Sequence, residues 1–208
     1  MYPYFSSIVK EKAQATLQAS IKYTLIVALP IAFLMSAFAP QVIDVFYHKP
    51  YAEAAVPLAL LSFMAVPFAI AQILYAFFYG IGRPKVHAYV IACALSLDVA
   101  LSFLLTLYLG MFGAAAAILA ARVFEVAVLS FIIRFKIGTV MELGKATKPL
   151  AVYIIIYVLA VSFRVSGIVQ LLAFGLVLLG VYITVMIAIG GVEKKDIFMV
   201  LRWLKVRV

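Results

Sequence analysis

The chain has 208 residues, of which 68% are hydrophobic and 12% charged, and its mean hydropathy is +1.21. A soluble domain of this length needs far more polar surface, so the composition places the chain in a bilayer. The net charge of +9 does not point to nucleic acid, because the cations punctuate apolar runs instead of lining one face.

Residues 1–22, MYPYFSSIVKEKAQATLQASIK, lack the basic stretch, apolar run and small-residue site of a secretory signal. They read as an amphipathic segment on the cytoplasmic side. A helix crosses the hydrocarbon with about 20 residues, since every backbone group in lipid must be bonded internally. Runs of that kind predict six spans near Tyr23–Phe46, Ala55–Tyr79, Val86–Tyr108, Gly113–Ile133, Thr147–Phe163 and Ile168–Gly190. Turn signals separate them at His48-Lys-Pro50, Gly82-Arg-Pro84, Gly110-Met-Phe-Gly113, Gly138 to Gly144 and Ser166-Gly167. The fifth is the shortest, and Arg164 must extend from its end toward water. In the tail, 191–208, Ile197, Val200, Leu201, Leu204 and Val208 recur at helical spacing, and Trp203 suits an interface. The fold class is therefore all-α integral membrane: six transmembrane helices over residues 23–190 and a C-terminal amphipathic interfacial helix.

Of the 17 Lys and Arg residues, all but Lys49, Arg122 and Arg164 fall on one side of this arrangement. The positive-inside rule makes that side cytoplasmic, with both termini on it, in a cell membrane. Prolines 30, 40, 57 and 67 interrupt helical bonding in the first two spans, as in bent helices that open a cavity or supply a hinge. Between spans two and three stands YGIGRPKV, residues 79–86. Gly80 and Gly82 fit G-x-G, but position 85 is Lys, so the dinucleotide fingerprint fails. The stretch reads as a tight turn whose Arg83 and Lys85 are placed to contact anionic lipid headgroups.

Three ionisable residues, Asp98, Arg122 and Glu125, lie well inside spans and must face protein or water. Asp98 lies twelve residues before Gly110 and Arg122 twelve after it, so an antiparallel hairpin sets them at similar depth. Arg122 and Glu125, three apart, share a helical face. The expectation is one Asp98–Arg122–Glu125 cluster near the midplane. It reads either as an ion cluster pinning two helices or as the charged wall of a cavity. Gln72 is a candidate for lining such a cavity, while Ser62, Ser96, Ser102 and Thr106 suit hydrogen bonds between helices.

No catalytic motif is present, and His48 and His87 fall on opposite sides of the membrane, so neither an enzyme, a metal site nor a cofactor is expected. Cys93 stands alone, which excludes an intrachain disulfide.

Several segments together resemble one family. MYPYFSSIVKEKAQATLQASIKYTLIVALPIAF is similar to the segment and span that open the second part of polysaccharide flippases. APQVIDVFYHKPYAEAAVPLALLSF resembles their next outer loop. LYAFFYGIGRPKVHAYVIACALSLDVALSFLLTLYLGMFGAAAAILA resembles their G-R-P-K loop, the following span and the small-residue start of the next, and VEKKDIFMVLRWLK their amphipathic end. The resemblance is to the polysaccharide flippases of the multidrug/oligosaccharidyl-lipid/polysaccharide transporter superfamily. It implies alternating-access export of a lipid-linked sugar, without a cofactor. Such proteins have two lobes around a central cavity, and this chain corresponds to the last six spans. The resemblance thus implies a missing N-terminal lobe or another membrane subunit as partner. Within that frame Arg122 would attract a pyrophosphate or acidic sugar, with Asp98 and Glu125 holding it or taking part in ion coupling. The alternatives are a drug or organic-cation antiporter of the same superfamily and a non-transporting assembly subunit. A cation at Arg122 departs from the family pattern, in which that position is often acidic or small and polar.

Overall fold

A computed structural model of the chain describes residues 2–47, 49–136, 157 and 168–188. The described residues are helical almost throughout and contain no strand, the all-α class that the apolar runs predict. The backbone forms two compact units, Met1–Glu142 and Leu143–Val208.

The first unit opens with α1, Tyr2–Ala37, which continues without interruption across Lys22 and Tyr23. Leu17 and Ile21 are buried in the unit's core, so the helix of membrane-crossing length and polarity is Ala13–Ala37. The span therefore ends about ten residues earlier than the hydropathy alone predicts. The reason lies at Pro40, whose ring would collide with the carbonyl of Ser36 in a continuing helix. The backbone leaves helical geometry at Phe38 (φ −95°, ψ 6°), and α2, Ala39–Phe46, begins with Pro40 in its first turn.

A 3₁₀ turn, Lys49–Ala54, leads into α3, Ala55–Ser62, and then α4, Ala65–Gly80. The second span is these two helices joined at a kink, and Pro67 accounts for it. Without an N–H of its own, Pro67 leaves the Phe63 carbonyl to the Val66 N–H at 3.2 Å. One turn earlier the Ser62 hydroxyl donates to the Leu58 carbonyl at 2.8 Å, a bond that favours bending.

Helix α5, Pro84–Lys136, is 53 residues long. A straight helix of that length would reach about 80 Å, more than twice the hydrocarbon thickness of about 30 Å. It is a hairpin. Gly110 takes φ 57° and ψ −137°, a conformation essentially closed to other residues. Beyond it Gly113 lies directly against the Leu105 carbonyl, eight residues back, which only a reversed chain allows. The predicted turn at Gly110–Gly113 is thus made by one non-helical residue and one close approach.

α1 packs on α3 and α4, and these pack on α5. Leu17 and Ile21 of α1, Leu74, Tyr75 and Phe78 of α4, and Val90, Leu129 and Ile133 of the two α5 limbs form one buried cluster. In the second unit α6, Ile168–Ala188, corresponds to the predicted sixth span, with Leu178, Tyr182 and Met186 buried at helical spacing. Apart from Tyr157, the predicted fifth span lies outside the described residues, as does the C-terminal interfacial helix.

Candidate functional site

The second limb of α5 presents Ala117, Ala121, Glu125, Leu129 and Ile133 to the interior, each four residues from the last. Four of these are apolar and the central one is a carboxylate with no solvent exposure. A buried carboxylate in such surroundings needs a partner. Arg122, one turn earlier, provides it: Nη1 donates to Glu125 Oε2 at 2.7 Å. The other oxygen, Oε1, has no hydrogen-bond partner.

The Arg122 side chain stays 23% exposed. Its Cζ lies 6.0 Å from the centre of the Phe68 ring, which α4 supplies one turn past the α3–α4 kink. Arg122 is twelve residues from the hairpin end at Gly110, and Phe68 twelve from the opposite end of its span at Gly80, about 18 Å in each case. The ion pair therefore sits at mid-depth, beside the bend.

Asp98 does not join it. It shares a face of the first limb with the buried Val90 and Ala94, and the Gly113–Leu105 approach sets it at about the level of Ala121. Its Oδ1 accepts a bond from Ser102 Oγ at 3.2 Å, and among the described residues it makes no ion pair. The expected three-membered cluster is in the structure an Arg122–Glu125 pair and a separate Asp98–Ser102 contact. The shared depth follows from hairpin length, whereas the absence of a contact depends on how the limbs are rotated.

At the Gly80 end the YGIGRPKV stretch closes α4 with a Schellman motif. Arg83 N–H donates to the Phe78 carbonyl at 2.9 Å and Gly82 N–H to that of Tyr79 at 3.0 Å, with Gly82 at φ 71°. Pro84 then starts α5, leaving Arg83 and Lys85 exposed. Gln72 is exposed on α4 and makes no hydrogen bond among the described residues.

One assembly escaped the sequence reading. The His87 ring lies against Tyr75, with centroids 3.7 Å apart, and His87 Nδ1 shares a 2.8 Å hydrogen bond with the Tyr79 hydroxyl. A signal was available: Tyr79 and His87 are equidistant from Arg83, so a chain that reverses there sets them side by side. Among the described residues no three His, Cys, Asp or Glu side chains gather into a metal-binding group.

Residues 9–104 match the family model MatE. An uncharacterized membrane protein of Methanocaldococcus jannaschii is 31% identical over 93 residues, a stretch covering 45% of this chain and 18% of that protein. The chain thus aligns with only a small part of its relative's length. No solved structure matches. The MatE region takes in most of α1, all of α2 to α4 and most of the first limb of α5, including Gln72, Arg83, Lys85 and Asp98. It stops short of Arg122 and Glu125. The apolar helices and both comparisons make this a membrane protein, with a region similar to a transporter family.

Proposed function

We propose that the protein takes part in alternating-access export of a lipid-linked oligosaccharide or polysaccharide precursor, together with a second membrane lobe or subunit. The observation that carries this reading is the mid-depth Arg122–Glu125 pair beside the α3–α4 bend. An ion pair half-way down a bundle is expensive to keep there for packing alone, and intramembrane charges mark substrate or ion pathways. Glu125 engages one edge of the guanidinium, and the partly exposed remainder can meet a phosphate or an acidic sugar through charge-assisted hydrogen bonds. The kink beside it is a natural point for bending. In this reading Arg83 and Lys85 gather anionic headgroups on the cytoplasmic face of the plasma membrane. Asp98 lies at a similar depth and is available for ion coupling.

The test is transport of a lipid-linked saccharide by the assembled protein in vesicles. Arg122→Ala is expected to lower transport about a hundredfold, and Arg122→Lys, which keeps charge but not the planar fork, about tenfold. Undiminished transport by Arg122→Ala removes Arg122 from the pathway.

A second reading is favoured by one feature, the unpartnered Oε1 of Glu125, a buried acceptor that would suit a cationic substrate once bending at the α3–α4 kink uncovers it. A drug or organic-cation antiporter would lose efflux in Glu125→Gln while saccharide export stayed unchanged. A chain that copurifies with another membrane protein, and whose charge variants leave that assembly's transport intact, would be an assembly subunit instead.

A further inference from the structure

The buried face of α4 carries Ala71, Leu74, Tyr75 and Phe78. Beside it runs one exposed stripe of Phe68, Gln72, Ala76 and Tyr79, confined to less than a quarter of the helix circumference. Phe68 and Tyr79 are eleven residues apart, about 16 Å along the axis, or half the hydrocarbon thickness. Each end of the stripe is marked by cations. Phe68 lies under Arg122 at mid-depth, and just beyond Tyr79 stand the exposed Arg83 and Lys85.

Gln72 occupies the middle of this stripe. An exposed amide facing acyl chains leaves its donors and acceptor without partners, at a penalty of several kcal/mol. Water or a polar headgroup removes that penalty. Ala76 beside it adds little bulk, and Tyr79 is held in place by its bond to His87. α4 carries no acidic side chain; Glu125 is turned into the protein and paired with Arg122, and Asp98 on α5 accepts a bond from Ser102.

We propose that this face of α4 is the path along which the phosphate-bearing headgroup of a membrane lipid passes between the Arg83–Lys85 turn and Arg122, through one leaflet. The acyl chain stays in the bilayer, while the phosphate exchanges one set of cations for the other and the Gln72 amide bridges the interval. The path rests on the transport reading above, but its occupancy is measured without transport.

The experiment uses the full chain in its own membrane, with Cys93 replaced by Ala. Gln72→Cys, Ala76→Cys and the control Leu95→Cys are treated with a membrane-impermeant, water-soluble thiol reagent. Leu95 lies on α5 twelve residues past Arg83, close to the depth of Gln72 eleven residues before it, and is 49% exposed. Labelling is expected at positions 72 and 76 and not at 95. Short-chain phosphatidic acid at about ten times its dissociation constant should slow it about tenfold. Phosphatidylcholine of the same chain length should slow it little, and inorganic phosphate not at all. Arg83→Ala with Lys85→Ala should weaken the protection. If position 72 is no more reactive than 95, the face is dry and the path is refuted. If it reacts but phosphatidic acid gives no protection, or inorganic phosphate protects equally, a lipid headgroup is not the occupant. Protection without saccharide export would overturn the transport reading and leave the path standing. Export without protection would do the reverse.

Discussion

Glu125 and Arg122 are not symmetric partners. Glu125 is fully enclosed with one oxygen already unpartnered, while Arg122 keeps 23% of its side chain exposed. Removing the arginine strands a buried carboxylate with no hydrogen bond at all. Removing the glutamate frees a guanidinium that can still reach water and the Phe68 ring. Arg122→Met is therefore expected to destabilise the protein by about 3 kcal/mol and Glu125→Gln by clearly less. The double variant Arg122→Met, Glu125→Leu should recover most of the loss, because an apolar pair of similar volume needs no partner. Unfolding in mixed micelles measures all three, and equal losses in the single variants would refute the asymmetry. At this scale the sequence was legible in part. Spacing paired Arg122 with Glu125 and sets Ser102 beside Asp98, but no sequence rule reveals that Asp98 bonds Ser102 and not Arg122.

Among the elements, α5 depends on two glycines for different reasons. Gly110 is needed for its backbone angles, and Gly113 because a Cβ there would strike the Leu105 carbonyl. Gly80 sits in the last turn of α4 with open space around it. Gly113→Ala should thus part the limbs at the turn and destabilise by about 2 kcal/mol or more. Gly80→Ala should be neutral or stabilising by a few tenths of a kcal/mol. Thermal unfolding of the two variants in one detergent checks this, and the idea fails if Gly113→Ala is tolerated equally well. The turns at Gly82 and Gly110 and the breaks at Pro40 and Pro67 were readable because glycine and proline act through local sterics, whereas the expected breaks at Pro30 and Pro57 do not occur and both lie within continuous helices. The length of α1 was not. Residues 1–22 look polar enough to lie outside, yet Leu17 and Ile21 pack on α4 once the helix continues through them.

For the whole molecule, the cations make a topological statement. The positive-inside rule predicts that Lys10, Lys12 and the Arg83–Lys85 turn lie on the cytoplasmic side and the Gly110 turn on the other. Cysteines placed singly at Lys85 and Tyr108, with Cys93 replaced by Ala, should show opposite accessibility to an impermeant reagent in intact cells. Position 108 should react from outside and position 85 only after lysis. Reaction of both from the same side would contradict the hairpin, and reversed accessibility would contradict the orientation. The MatE match over residues 9–104 covers the part of the bundle with the G-R-P-K turn, whereas the charge pair lies beyond it. A transport role therefore draws on two separate sources, resemblance for the first half and buried charge for the second.

The sequence by itself determined that the described residues are helical and the chain membrane-embedded, where the turns at Gly82 and Gly110 fall, and that charges lie deep within it. Each of these follows from hydropathy, from the fixed geometry of proline and glycine, or from the length a helix needs to cross hydrocarbon. Only the tertiary structure decided that Asp98 stays apart from Arg122 and which face of α4 is left open. Those outcomes depend on the rotation of each helix about its own axis, which packing between distant residues sets and which no local pattern encodes.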